Sequence, residues 1–91
     1  MKFPLTYDAT TTREDFVRLL PQATGNVEFQ AIGDRFCGRG WSVCLTPIPQ
    51  LEIGLFRLER HHVEIEFSGL TAEEQDSFMQ RFTLYYQRGG G

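Results

Sequence analysis

The sequence predicts an α+β domain: a four-stranded antiparallel β-meander with two helices, in the order (β)αββββα, the bracketed element being a possible short extra N-terminal strand. Three observations predict it. Near each end of the chain, apolar residues recur at helical spacing behind a capping signal. Between them, short runs alternate apolar and polar residues, the period of half-buried strands. Those runs are separated by glycine, proline and polar clusters, which punctuate hairpins. Consecutive strands with helices at the ends favour an antiparallel sheet carrying both helices on one face.

The segment "FPLTY" reads as a short strand, and Pro4 keeps it at a sheet edge or a strand start. In "TTTREDFVRLLP", Thr11 or Thr12 stands three residues before Glu14 or Asp15, a capping-box spacing. Phe16, Val17, Leu19 and Leu20 form its apolar face, and Pro21 is expected to end or kink it. The last helix has the same box in Thr71-Ala72-Glu73-Glu74. Phe78, Met79, Phe82, Tyr85 and Tyr86 form its stripe, and Gly89 suits a left-handed C-cap after Gln87 and Arg88.

The strands come next. "NVEFQAI" alternates Val27, Phe29 and Ala31 against Glu28 and Gln30, and Gly33-Asp34 is turn chemistry. A hairpin there pairs Ala31 with Phe36, Gln30 with Cys37, Phe29 with Gly38 and Glu28 with Arg39. The apolar phase then slips from even Phe36 to odd Trp41, Val43 and Leu45, which predicts a β-bulge at Gly38–Gly40. "TPIPQ", Thr46 to Gln50, reads as an extended connection, because Pro47 and Pro49 cannot both sit in a central strand. A hairpin turning at Arg60–His61 pairs Leu58 with Val63, Phe56 with Ile65 and Gly54 with Phe67, with Arg57 facing Glu64 and Glu59 facing His62. Leu51, Ile53 and Leu55 then fall on the opposite face. Either a bulge at Gly54 restores the phase, or a helix or second subunit covers that face. The expected core is Phe16, Leu19, Leu20, Val27, Phe29, Trp41, Val43, Phe56, Val63, Ile65, Phe67, Phe78 and Phe82.

Ninety-one residues suit a single domain, residues 1–91, with 89–91 as a flexible glycine tail. A net charge of −3 argues against nucleic acid and anionic membranes as partners, since both are bound mainly through basic surfaces. Eight of the nine basic residues are arginine, whose planar fork suits interfaces. The N-terminus has no signal-peptide pattern, and no apolar run is long enough to span a bilayer. Two cysteines make no disulfide scaffold, so the expectation is a soluble cytoplasmic protein with reduced thiols.

The densest motif is "GDRFCGRGW", Gly33 to Trp41. It nearly matches the phosphate-binding GxxxxGK loop, but Arg39 replaces the lysine and Gly40 the magnesium-binding hydroxyl. A strand-like run follows where the mechanism needs a helix N-terminus, so the glycines read as structural. Cys37 and Cys44 are seven apart with no CxxC, and a zinc site would have to bring both to His61 and His62. Arg35 and Arg39 flank Cys37 and are positioned to lower a thiol pKa. The terminal glycines resemble the diglycine ends of sulfur carriers and ubiquitin-like proteins over three residues only. A strand precedes the tail in those domains, whereas a capped helix precedes it here. Ser42, Ser68 and Ser77 lack a nucleophile-elbow context, and no carboxylate set suits acid–base chemistry.

The reading is therefore a non-enzymatic, self-associating protein-interaction domain that needs no cofactor. Its partner is another protein or itself, and its candidate surface is Leu51, Ile53, Leu55, Arg35 and Arg39. The alternatives are a thiol- or metal-dependent protein using Cys37, Cys44, His61 and His62, and a small-anion or nucleotide binder using Arg35 and Arg39.

Overall fold

Both helices begin where their caps predict. In the computed structural model, which describes residues 4–90, α1 spans Arg13–Thr24 and α2 spans Ala72–Gly90. Thr12 Oγ1 accepts from the Asp15 N–H at 3.0 Å. Thr71 and Glu74 cap reciprocally: the Glu74 N–H donates to Thr71 Oγ1 at 3.1 Å and the Thr71 N–H to Glu74 Oε1 at 2.8 Å. Pro21 does not end α1, which runs on to Thr24 and closes on Gly25, at φ +77°. The last turn is held instead by the Gly25 N–H on the Pro21 carbonyl and the Thr24 hydroxyl on the Leu20 carbonyl. α2 continues past Gly89, the expected cap, to Gly90, and Gly91 of the expected tail lies outside the described residues.

The fold is α+β, with five antiparallel strands: β1 (Thr6–Ala9), β2 (Gln30–Ile32), β3 (Arg35–Cys37), β4 (Trp41–Ile53) and β5 (Phe56–Phe67). Their order across the sheet is β1-β5-β4-β3-β2, so the last four form the expected meander and the N-terminal strand adds to its β5 side. β1 and β2 are opposite edges, so α1 crosses one sheet face between them and meets α2 there. The core lies between that face and the helices: Phe16, Leu20 and Ala23 from α1, Phe78, Met79 and Phe82 from α2, and Phe36, Trp41, Val43, Leu45, Val63 and Ile65 from the sheet. Aromatic stacking ties the helices together, with Phe16 on Tyr86 at 4.4 Å between ring centroids. The Tyr86 hydroxyl donates to the Phe16 carbonyl at 2.7 Å.

Two expected core residues are exposed, and Leu19 is half-buried without joining the core. Val27 is exposed because β2 starts only at Gln30, and Phe56 is exposed because unbroken β5 places it on the sheet face opposite Val63 and Ile65, away from the helices. The register at Gly33-Asp34 is as expected for Gln30↔Cys37 and Ala31↔Phe36. It stops there, so Phe29–Gly38 and Glu28–Arg39 are not ladder pairs.

"GRG" is a chain reversal, not a bulge. Cys37 pairs with Ser42, and Gly40 takes φ +81° in the tight turn between them. A Cβ on Gly38 would collide with the Trp41 indole, which lies across it, and the Trp41 Nε1–H donates to Asn26 Oδ1 at 2.8 Å. Gly38 thus makes room for the single tryptophan, and Gly40 makes the turn that precedes it.

The largest correction concerns the last hairpin. It turns at Gly54-Leu55, where Ile53 pairs with Phe56, and not at Arg60–His61. Gly54 has φ +59° while Leu55 is not left-handed, the pattern of a two-residue turn opened by glycine. The polar tetrad instead lies inside one continuous β5, because β1 and the chain after it supply its partners. Asp8 takes His62 and Arg60, and the Thr11 carbonyl accepts from His61 Nδ1 at 2.8 Å. "TPIPQ" is likewise part of β4 rather than a connection. The irregularity lies at Pro49-Gln50, two residues opposite the single Glu59, so Gly54 is not a bulge.

Candidate functional site

β4 and β5 are far longer than their neighbours. β3 stops pairing with β4 at Cys44, and β1 stops pairing with β5 at His61. The hairpin beyond those points, roughly Thr46 to Arg60, is an arm flanked by no strand among the described residues. An isolated two-stranded hairpin is marginal in water, so its sequence needs a reason to hold this shape.

Strand alternation assigns the arm's faces. On unbroken β5, His61, Val63 and Ile65 are buried toward the helices, so Phe56, Leu58 and Arg60 point to the open face of the sheet. Leu51 pairs with Leu58 and Ile53 with Phe56, which puts all four side chains on that open face. Phe56 is 71% exposed, Ile53 56%, and Leu55 at the turn 100%. The Pro49-Gln50 bulge makes this possible. Without the extra residue, Leu51 and Ile53 would share the face of Val43 and Leu45. The other face of the arm is charged: Glu52 pairs with Arg57, and Glu59 stands opposite the bulge.

The two edges differ. The Leu45 N–H donates away from β5, to the Asp34 carbonyl, and the same parity turns the nitrogen of Pro47 to the open edge of β4. Pro47 and Pro49 bring no N–H, which blunts that edge. β5 carries no proline. Its Ile65 N–H donates away from β4, to the Leu5 carbonyl, so the N–H and C=O of Arg57 and Glu59 also point outward. Those groups have no strand partner among the described residues.

Below the arm the open face is polar. His62 Nδ1 donates to Asp8 Oδ1 at 2.8 Å, and Arg60 lies 3.6 Å from Asp8 Oδ2. Arg35 donates to Ser42 Oγ and Glu66 Oε1, each at 3.2 Å. The hydrogen bond to Glu66, and then its charge, raise the Arg35 guanidinium above its ordinary pKa.

The sequence candidates are thus scattered. Leu51, Ile53 and Leu55 lie together on the arm. Arg35 is on β3 with its charge engaged by Glu66, while Arg39 sits exposed in the "GRG" turn. Cys37 and Cys44 are free, half-buried, on the open face with Arg35. His61 faces the helices through the sheet from both thiols, so the two cysteines and two histidines do not converge. Among the described residues, no group of three or more His, Cys, Asp or Glu is placed to hold a metal ion. Cys37 is diagonal to Cys44, since its direct partner is Ser42. Diagonal neighbours lie about 7–8 Å apart, beyond easy disulfide reach. Phe56 and Leu58 belong to the site although the alternation assigned Phe56 to the core; a turn at Gly54 was the signal that would have found them. No described helix is long and apolar enough to cross a membrane. Comparison with protein-family models, with curated proteins and with solved structures finds no match.

Proposed function

We propose that this protein is a non-enzymatic interaction module that associates with a second copy of itself through the β4–β5 arm. The observation that carries the reading is the row Leu51, Ile53, Phe56 and Leu58, gathered on one face of a hairpin that extends past the body of the domain. Scattered surface leucines need no explanation, but a contiguous apolar patch on a projecting element marks a contact surface. The bulge adds weight, since it turns those side chains to the open face together.

Sedimentation equilibrium on the native chain and on Ile53→Ser/Phe56→Ser tests it. The native chain is expected to gain mass with concentration and the variant, still folded, to remain a monomer. A native chain that stays monomeric to millimolar concentration, or a variant that associates as well as the native chain, rejects the reading.

A further inference from the structure

We infer that two copies join by antiparallel pairing of their β5 arm edges, Phe56–Arg60 against Phe56–Arg60, about a twofold axis at Leu58. This rests on the self-association proposed above and specifies its geometry.

The edge is chosen first. Pro47, Pro49 and the bulge spoil the β4 side of the arm for strand addition. The β5 side is regular and open from Phe56 to Arg60, and closes at His61 where Ala9 of β1 takes over. A strand added there must be short, and a second Phe56–Arg60 segment has that length. Identical strands meeting antiparallel generate a closed, isologous pair rather than a fibre.

Hydrogen-bond parity then restricts the register. Only Arg57 and Glu59 turn their backbone groups outward in this window. Antiparallel strands exchange hydrogen bonds between residues that both point at each other, so outward residues must oppose outward residues. Three symmetric registers satisfy this. Arg57 facing Arg57 places two guanidinium groups together, and Glu59 facing Glu59 places two carboxylates together and runs the chain into β1. Like charges directly opposite are destabilising. The third register sets Arg57 against Glu59 of the other copy, twice, with four backbone hydrogen bonds. It alone gives opposite charges at both positions.

The same register organises the apolar face. Leu58 meets its own copy across the axis as a non-hydrogen-bonded pair, the closer kind. Phe56 meets Arg60, whose guanidinium then lies over a ring. Leu51 and Ile53 of each copy flank this centre, so the two arms form one four-stranded platform. Such a contact is small beside the ~800 Å² per partner of a standard interface, so the dimer depends on concentration.

Charge exchange tests the register, read by sedimentation equilibrium up to millimolar protein, with circular dichroism to confirm folding. Glu59 is exposed and stands opposite the bulge, so Glu59→Lys should leave the fold intact. It creates two like-charged pairs and is expected to weaken self-association about tenfold or more. Arg57→Glu is expected to do the same. An equimolar mixture of the two restores opposite charges at both intermolecular positions, and is expected to associate as a mixed dimer more tightly than either variant alone. A native dimer that is indifferent to Glu59→Lys, or a mixture of folded variants that recovers nothing, overturns the register and leaves self-association standing. A native chain that is monomeric throughout overturns both.

Discussion

Leu45 and Phe56 belong to one hairpin yet should respond to truncation in opposite ways. Leu45 is 1% exposed at the base of the arm, packed under the helices, whereas Phe56 is 71% exposed near its tip. Burying a large apolar side chain fully is worth about 1.5–3 kcal/mol. Phe56 has withdrawn less than a third of its surface from water, so its removal forfeits under about 1 kcal/mol of transfer energy. A change in strand preference adds up to about 1 kcal/mol. Leu45→Ala loses the transfer term and leaves a cavity, which together cost about 2–5 kcal/mol. At a urea slope of about 1 kcal/mol per molar, Phe56→Ala should move the midpoint by less than about 2 M and Leu45→Ala by about 2–5 M. Urea titration followed by Trp41 fluorescence, at low micromolar protein where copies are apart, measures both. If Phe56→Ala costs as much as Leu45→Ala at that dilution, Phe56 is buried within a single chain and the arm is not a free surface.

Further outcomes follow from the interior. Burial pushes the Tyr7 phenol up to about 12, and burial with a smaller push from Tyr7 raises Tyr86 still further. The unfolded chain releases these protons from about pH 10 upward, so it binds fewer protons there and stability falls as pH rises. Tyr7 alone should remove about 2–3 kcal/mol between pH 10 and 12, and Tyr7→Phe should flatten that part of a stability–pH curve. Asn26→Ala strands the Nε1–H of buried Trp41, and is expected to cost about 1–3 kcal/mol in denaturant titration. Gly38→Ala drives a methyl group into the Trp41 ring, at a cost of about 1–3 kcal/mol and with a shifted tryptophan emission.

What could be read from the chain is what is decided locally. Thr12 and Thr71 cap their helices through bonds three residues away, and the Gly33-Asp34 turn sets its own register. The last hairpin was not decided locally. A turn at Arg60–His61 gave a self-consistent pattern, with apolar residues on one face and opposite charges on the other. The observed turn at Gly54 gives one too, and what favours it is Asp8 and Thr11, some fifty residues upstream, which satisfy the tetrad from β1. In "GRG" the ambiguity was of another kind, because glycine serves a bulge and a reversal equally. As for the site, Leu51, Ile53 and Leu55 stood out as an apolar row without cover. Phe56 reads as core only if the chain turns at Arg60–His61, which pairs it with Ile65; with the turn at Gly54 the two lie on one unbroken strand at odd spacing and so on opposite faces.

The most direct test of the arm as the meeting place of two copies is amide hydrogen exchange of the native chain at dilute and millimolar concentration. The Arg57 and Glu59 N–H groups, which point outward from β5, are predicted to exchange freely when dilute and to gain protection together on association. The Leu58 N–H, turned toward β4, should change little. If Arg57 and Glu59 exchange at the same rate at both concentrations while the mass shows a dimer, the copies meet elsewhere and the account of the arm is wrong.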